Sequence, residues 1–215
     1  MLFYCFIATS HSATPYDEAV RLLANMKREN ARITDMRCTF TMVITKSNKR
    51  MPMQHLIFRY RKQPETIHLT FVNPHKGRKV VYVRGDKKMK VRPDGFWKFT
   101  TVTLDPLSDR AMEGSIDPVT AQGFSQIVSA AERLIRNSVS QPGYSIKIEQ
   151  KKVDDSKNCI QLMIRTPESE EYILLVDSAT FFPFQILKQT KQGSAIYTYT
   201  DIQVNPGMAD SEFKL

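Results

Sequence analysis

Met36–Thr45 reads MRCTFTMVIT, and its period is two. Cys38, Phe40, Met42 and Ile44 fall on one face, and Thr39, Thr41 and Thr45 fall on the other. An alternation of this kind over ten residues marks a strand with one side against a core and one side in water. The same period continues downstream. Leu56, Phe58 and Tyr60 alternate with Ile57, Arg59 and Arg61, and Ile67, Leu69 and Phe71 alternate with His68 and Thr70. Strands are predicted over Lys79–Val83, Lys88–Val91 and Phe96–Leu104. Turn chemistry separates them, at Ser47-Asn48, Gln63-Pro64, Asn73-Pro74, Gly85-Asp86 and Pro93-Asp94-Gly95. Upstream, Tyr16–Asn30 opens with acids and ends with bases, and carries Val20, Leu23 and Met26 at helical spacing. Downstream the strand pattern breaks at a polar loop, Asp105–Pro118. A helix is then predicted over Thr120–Asn137, with Phe124, Ile127, Val128, Ala131, Leu134 and Ile135 on one face. Five more strands follow, over Tyr144–Lys152, Ile160–Thr166, Tyr172–Asp177, Phe184–Lys188 and Ser194–Thr200, and Asn205–Phe213 closes the chain as a loop. The expectation is an α+β fold of about ten antiparallel strands and two main helices.

A sheet of about ten strands at about 4.8 Å spacing is roughly 48 Å wide, whereas a helix is only about 10–12 Å across. Two helices cannot cover its apolar face, so the sheet curls around them or leaves an apolar cleft. The candidate inner face carries Phe40, Met42, Phe58, Tyr60, Leu69, Phe71, Met89, Phe99 and Phe184. Aromatic and methionine side chains suit a soft-walled cavity, and they equally suit a closed core.

The chain has 215 residues, 41% hydrophobic and 25% charged, which is the composition of a globular protein rather than a disordered or fibrous one. Its 8 Gly, 11 Pro and 3 Cys exclude collagen-like and disulfide-stapled architectures. Lys and Arg number 31 against 22 Asp and Glu, giving a formal charge of +9. Such a surface attracts polyanions or anionic membranes, but the cations are dispersed and fit the solvated face of a sheet. Residues 1–13, MLFYCFIATSHSA, resemble the end of a secretion signal, with small residues after a short apolar stretch. The domain proper is expected over residues 14–215. Removal of the leader takes Cys5 with it and leaves Cys38 and Cys159, expected as buried thiols on separate strands.

No phosphate-cradling glycine loop and no nucleophile elbow occurs in the sequence. The histidines are His11, His55, His68 and His75, and none is spaced i, i+4 on a helix. A pair across adjacent strands, His55 with His68, would lack a third ligand. Neither a metal nor a cofactor is expected. The carboxylates Asp105, Asp109, Asp117 and Asp154-Asp155 lie in loops, where turn and cap roles account for them. Phe58-Arg59-Tyr60-Arg61-Lys62 interleaves aromatics with bases, but alternation puts the two kinds on opposite faces, which argues against nucleic-acid binding.

The order of helix, strand meander, break, helix, second meander and closing Asn-Pro-Gly loop resembles the periplasmic lipoprotein carrier LolA and its relatives. More closely, Val72–Val91, Met112–Val128 and Tyr197–Phe213 resemble an uncharacterised secreted bacterial family of the planctomycete type, placed in that carrier-like group. The resemblance implies a curved antiparallel half-barrel lidded by helices over an apolar cavity. Its wall would be Phe40, Met42, Phe58, Tyr60, Leu69, Phe71, Met89 and Phe99, with Phe124 and Ile127 from the lid and Phe184 beyond, and Arg59, Arg61 and Lys62 would form a basic rim for headgroups. In the carriers an Arg before the Pro that follows the second strand helps hold the lid; here that position is Gln63, before Pro64. The expected function is a non-enzymatic, monomeric, exported protein of the periplasm or cell envelope. It would hold a lipid, an acyl chain or an acylated protein, with peripheral membrane contact. The rival readings are an envelope sensor that binds a partner protein and a hydrolase using Asp105 or Asp117.

Overall fold

The computed structural model describes residues 13–154 and 157–215. The secretion-signal reading and Cys5 lie outside the described residues. Helix α1 (Pro15–Ala31) starts where its sequence says it should. Thr14 caps it, and Asp17 reaches back to Thr14 in a capping box with Pro15 at the first turn. Its buried stripe is Ala19, Leu22, Leu23 and Met26, the i, i+3, i+4, i+7 pattern. Val20, expected on that stripe, is 43% exposed because it lies one residue off the helical period.

Strands β1 (Asp35–Lys46), β2 (Lys49–Arg50), β3 (Gln54–Lys62), β4 (Glu65–Asn73), β5 (Lys79–Val83), β6 (Met89–Arg92) and β7 (Val102–Leu104) form the first meander. Helix α2 (Phe124–Ser140) follows. The second meander is β8 (Ser145–Asp154), β9 (Lys157–Arg165), β10 (Glu171–Asp177), β11 (Pro183–Thr190) and β12 (Gly193–Val204). All twelve strands join one antiparallel sheet, ordered β7-β6-β5-β4-β3-β1-β12-β11-β10-β9-β8, with β2 beside β1. The long central pair β1·β12 joins the two meanders, from Met36↔Val204 to Lys46↔Gly193. The strands approach so closely there that a Cβ on Gly193 would lie 2.0 Å from the Thr45 carbonyl oxygen.

The predicted inner faces are buried as read: Cys38, Phe40, Met42 and Ile44 from β1, Leu56, Phe58 and Tyr60 from β3, and Ile67 and Leu69 from β4. The curved sheet wraps the helices in an α+β half-barrel. Packed against each other, α1 and α2 carry an outer ion pair between Lys27 and Glu132 at 2.9 Å. Cys38 and Cys159 are both buried, on β1 and β9. Three strands lie between these two, so at about 4.8 Å per strand the sulfurs are far beyond disulfide reach.

Two predicted elements begin later than expected. Phe96–Leu104 is not one strand. Gly95 takes φ +64° and opens a 3₁₀ turn, Gly95–Phe99, so that β7 begins only at Val102. Residues 120–123 do not join α2 either. Val119–Ala121 is a 3₁₀ turn, and Gly123 at φ +109° redirects the chain before the helix starts.

Candidate functional site

The concave face of the half-barrel is filled in its middle and hollow towards β7. In the middle, Phe40 stacks on Tyr199 with centroids 4.7 Å apart, and meets Phe58 edge-on at 6.0 Å. Phe124 descends from α2 onto Tyr199 at 5.6 Å. This aromatic plug closes the space that Phe58, Tyr60 and Phe124 were expected to line. Phe58 is 0% exposed, and burial pushes the Tyr60 hydroxyl up to about 12.

Towards β7 the sheet is covered not by a helix but by the loop that connects β7 to α2, residues 105–123. Beneath it is a cavity of about 250 Å³. Phe40, Met42, Leu69, Phe71, Val80 and Met89 form its apolar floor and wall. Pro106, Ala111 and Val119 hang over it from the loop, and Met51, Pro52, Pro74, His75, Arg78 and Arg110 lie around it. Five predicted wall residues therefore come together here: Phe40, Met42, Leu69, Phe71 and Met89. Ile127 instead lines a second, more polar space of about 300 Å³ between α2 and β10–β12.

Two predicted wall residues are elsewhere. Phe99 is 88% exposed, because the 3₁₀ turn carries it off the sheet edge. Phe184 follows a register shift between β10 and β11, which takes it out of the inward phase. Its ring lies 4.4 Å from the Lys157 ammonium. The predicted basic rim is also displaced, for the reason alternation gives: Arg59 and Arg61 point away from the cavity. The chain's C-terminal 3₁₀ turn, Asp210–Phe213, lies across that outer face. Arg61 pairs with Asp210 and sits 4.6 Å over the Phe213 ring, and Arg59 Nε is 3.4 Å from Glu212. Lys62 donates to the Ala31 carbonyl at 2.8 Å. His68 is buried beneath this strap, and burial, then the charges of Arg59 and Lys79, lower its pKa to about 4. His55 lies opposite Asn73 and His68 opposite Arg59, so the two histidines do not face each other. Among the described residues no three His, Cys, Asp or Glu side chains gather as a metal site.

The loop over the cavity is pinned from four strands. Lys46 Nζ of β1 donates to the Met112 carbonyl at 2.9 Å, and Gln54 Nε2 of β3 donates to the Gly114 carbonyl at 2.8 Å. Asp117 is the third anchor. Its Oδ2 accepts from Lys188 Nζ of β11 at 2.8 Å and from the Tyr197 hydroxyl of β12 at 2.8 Å. Burial, followed by the Asp117 charge, pushes the Tyr197 hydroxyl up, so it stays a proton donor to that carboxylate. Just beyond, Arg84 donates to the Thr120 carbonyl at 3.3 Å and pairs with Glu65 at 2.8 Å, and Gln126 of α2 donates to Glu65 at 3.3 Å. Sequence reasoning weighed Asp117 only as a turn residue or a hydrolytic carboxylate and missed Lys46, Gln54, Arg84 and Lys188. One signal was available: Lys188 shares the inward parity of Ile186 on β11, and a lysine on an inner face needs a buried acceptor. Asp105, the other carboxylate considered for hydrolysis, caps its own turn by accepting from Leu107 N at 2.8 Å.

The family model for a protein of unknown function, DUF1571, matches residues 33–215, from the end of α1 to the C-terminus. The chain belongs to the DUF1571 family. No curated protein matches it. Among solved structures the DUF1571 chain is similar to an uncharacterized conserved protein from Thermus thermophilus, at 9% identity and a TM-score of 0.55, covering 92% of this chain and 93% of that one. It is similar to MucB in the Pseudomonas aeruginosa MucA/MucB complex, at 16% identity and a TM-score of 0.52, covering 92% of this chain but only 61% of the other. It is also similar to the Mycobacterium tuberculosis lipoprotein LppX, at 11% identity and a TM-score of 0.50, covering 89% and 99%. At these identities the likeness establishes the shared fold.

Proposed function

We propose that this DUF1571 protein is a non-enzymatic binding protein of the bacterial envelope that holds one slender apolar group, such as a single acyl chain, under the 105–123 loop. The observation that carries the reading is the cavity itself: an apolar floor of Phe40, Met42, Leu69, Phe71, Val80 and Met89, roofed by a loop held through polar anchors. Its volume, about 250 Å³, lies just below the roughly 300–1,000 Å³ range of small-molecule sites. That size favours one chain or the end of one chain over a multiply acylated cargo. Burying about eight methylenes returns roughly 6 kcal/mol at about 0.8 kcal/mol each. Association itself costs about 4–15 kcal/mol, so burial of the chain alone barely offsets it, and retention through purification requires further contacts from the rest of the ligand. Of the cationic groups at the lining, His75 and Arg78 are engaged by Asp94 at 3.0 and 3.1 Å and Glu113 and Asp117 face the same space, so contact with an anionic headgroup falls to Arg110.

A second reading is favoured by the likeness to MucB in complex with MucA. In that reading the trough takes a segment of a partner protein. The two separate by extraction of the natively purified protein into organic solvent followed by mass spectrometry. Phe71 is half-buried on the cavity wall, so Phe71→Glu puts a carboxylate into the cavity without opening the aromatic plug. Lipid or acyl species present with wild type and absent with Phe71→Glu support the carrier reading. Extracts with no apolar species, and no uptake of added fatty acid, favour the partner reading.

A further inference from the structure

The 3₁₀ turn Gly95–Phe99, at the free edge of the sheet between β6 and β7, presents three aromatic rings in succession to solvent. Phe96 is 88% exposed, Trp97 64% and Phe99 88%. They pack on little besides each other: Phe96 and Trp97 meet edge-on at 5.7 Å, and Lys98 Nζ lies 5.1 Å over the Phe99 ring. No fold requirement accounts for them, since the turn buries none of its residues.

The strand registers place this turn at one end of the half-sheet. Lys79 pairs with Arg92, the last residue of β6, and His55 pairs with Asn73, the last of β4. The same end therefore carries the exposed apolar residues Met53 and Val72, at 48% and 47%. It also carries the cations Lys49, Arg50, Lys76, Lys79, Arg92 and Lys98. Asp94, the acid beside the turn, is paired with Arg78 at 3.1 Å and with His75 at 3.0 Å. The other acids at this end are Glu168, Glu170 and Glu171 of the β9–β10 hairpin in the other half, with Glu171 paired to Arg165, and the exposed Glu113 of the roof loop, which the six cations outnumber.

We propose that this end is a membrane-docking surface for bilayers rich in anionic lipid, with Phe96, Trp97 and Phe99 inserted at the headgroup level and the lysines and Arg92 over the lipid phosphates. Tryptophan and phenylalanine on a short turn, ringed by lysine, have the amphipathic chemistry of an interfacial anchor. Charge complementarity selects the occupant. A protein partner matching this patch would have to be both aromatic-accepting and strongly acidic, whereas an anionic bilayer supplies both properties over any area. Pro52, Pro74 and His75, which line the cavity, stand at this same end, so docking brings the cavity to the lipid surface. The exposed rings and the cations around them would dock whether or not the cavity takes a chain.

Trp97 is the only tryptophan in the chain, so its fluorescence reads the contact directly. The test titrates the protein with vesicles of phosphatidylglycerol and phosphatidylcholine, and separately with phosphatidylcholine alone, and follows both Trp97 emission and cosedimentation. The expected result is a blue shift and cosedimentation with the anionic vesicles, weakened by salt, since surface attraction of this kind is screened over about 10 Å at 0.1 M. Phe96→Ser/Phe99→Ser keeps the probe and removes two anchors that contribute nothing to the core. It should lower anionic-vesicle partitioning by about tenfold or more while the circular dichroism stays unchanged. No shift and no cosedimentation with anionic vesicles would overturn the proposal. So would a blue shift that appears on raising protein concentration without lipid, which would assign the rings to self-association.

Discussion

Replacing Asp117 by asparagine should loosen the roof of the cavity by an amount the geometry sets. The Asp117 and Lys188 side chains are 19% and 21% exposed, with 2.8 Å between carboxylate and ammonium. A fully exposed pair of this kind contributes about 0–1 kcal/mol. Breaking a fully buried pair by removing one partner costs about 3–5 kcal/mol. This pair lies between those limits, so Asp117→Asn should cost about 2 kcal/mol. The asparagine oxygen still accepts from the Tyr197 hydroxyl, which now donates at 2.8 Å, so the loss is mainly that of the ion pair. For a domain of this size about 2 kcal/mol lowers Tm by roughly 4–8 °C. The assay is a double-mutant cycle with Lys188→Met, read by thermal unfolding and by the rate of tryptic cleavage at Arg110 in the roof loop. Asp117→Asn should speed that cleavage. The double variant should be less damaged than the sum of the singles by about 1–2 kcal/mol. Strict additivity, with cleavage unchanged, would refute the assignment of Asp117 as the anchor.

The remaining predictions concern the sheet around the site. His68 is neutral in the folded protein down to about pH 4, against 6.5 for the unfolded chain. Between those values the unfolded chain takes up the proton and the folded one does not, so stability falls as pH falls from 6.5 to 4, by up to about 3 kcal/mol. Denaturant midpoints across that range should flatten in His68→Asn, and an equally steep fall in the variant would assign the effect to other groups. Gly193→Ala should cost more than about 3 kcal/mol, because its Cβ would lie 2.0 Å from the Thr45 carbonyl oxygen at a φ of +146°. A Tm within a few degrees of wild type would show that the β1·β12 crossing is looser than its register implies.

Most of the fold was legible because period-two alternation runs through β1 and β3, and the capping box and charge polarity announce α1. Strands β4 and β10 bury consecutive residues and were legible by their apolar runs between turns. The Asn-Pro-Gly segment was legible only as a closing loop; its work depends on contacts across the whole chain. Asn205, at φ +54°, accepts from Thr34 N at 2.7 Å and donates to the Arg32 carbonyl at 2.9 Å, which ties the chain end to the entry of β1. The floor of the cavity was legible from the same alternation, in Phe40, Met42, Leu69, Phe71 and Met89. Which inward residues would line space and which would pack shut was not, because the space beside Phe58 and Phe124 is filled by Phe40 and Tyr199, residues remote in sequence from one or both of them. The rim was misplaced by the same gap. Alternation already put Arg59 and Arg61 on the outer face, and only the tertiary path of residues 210–213 shows what they hold there. Phe99 failed on local grounds, since a glycine turn at residue 95 breaks the strand that would have carried it inward.

The central claim is that the space under the 105–123 loop holds an apolar chain. Mass spectrometry of an organic extract of the natively purified protein, compared with Phe71→Glu of equal thermal stability, tests it most directly. The account predicts stoichiometric lipid or acyl species with wild type and their loss with the variant. An empty wild-type extract together with no binding of added fatty acid would contradict it, as would the same species at the same stoichiometry in both proteins.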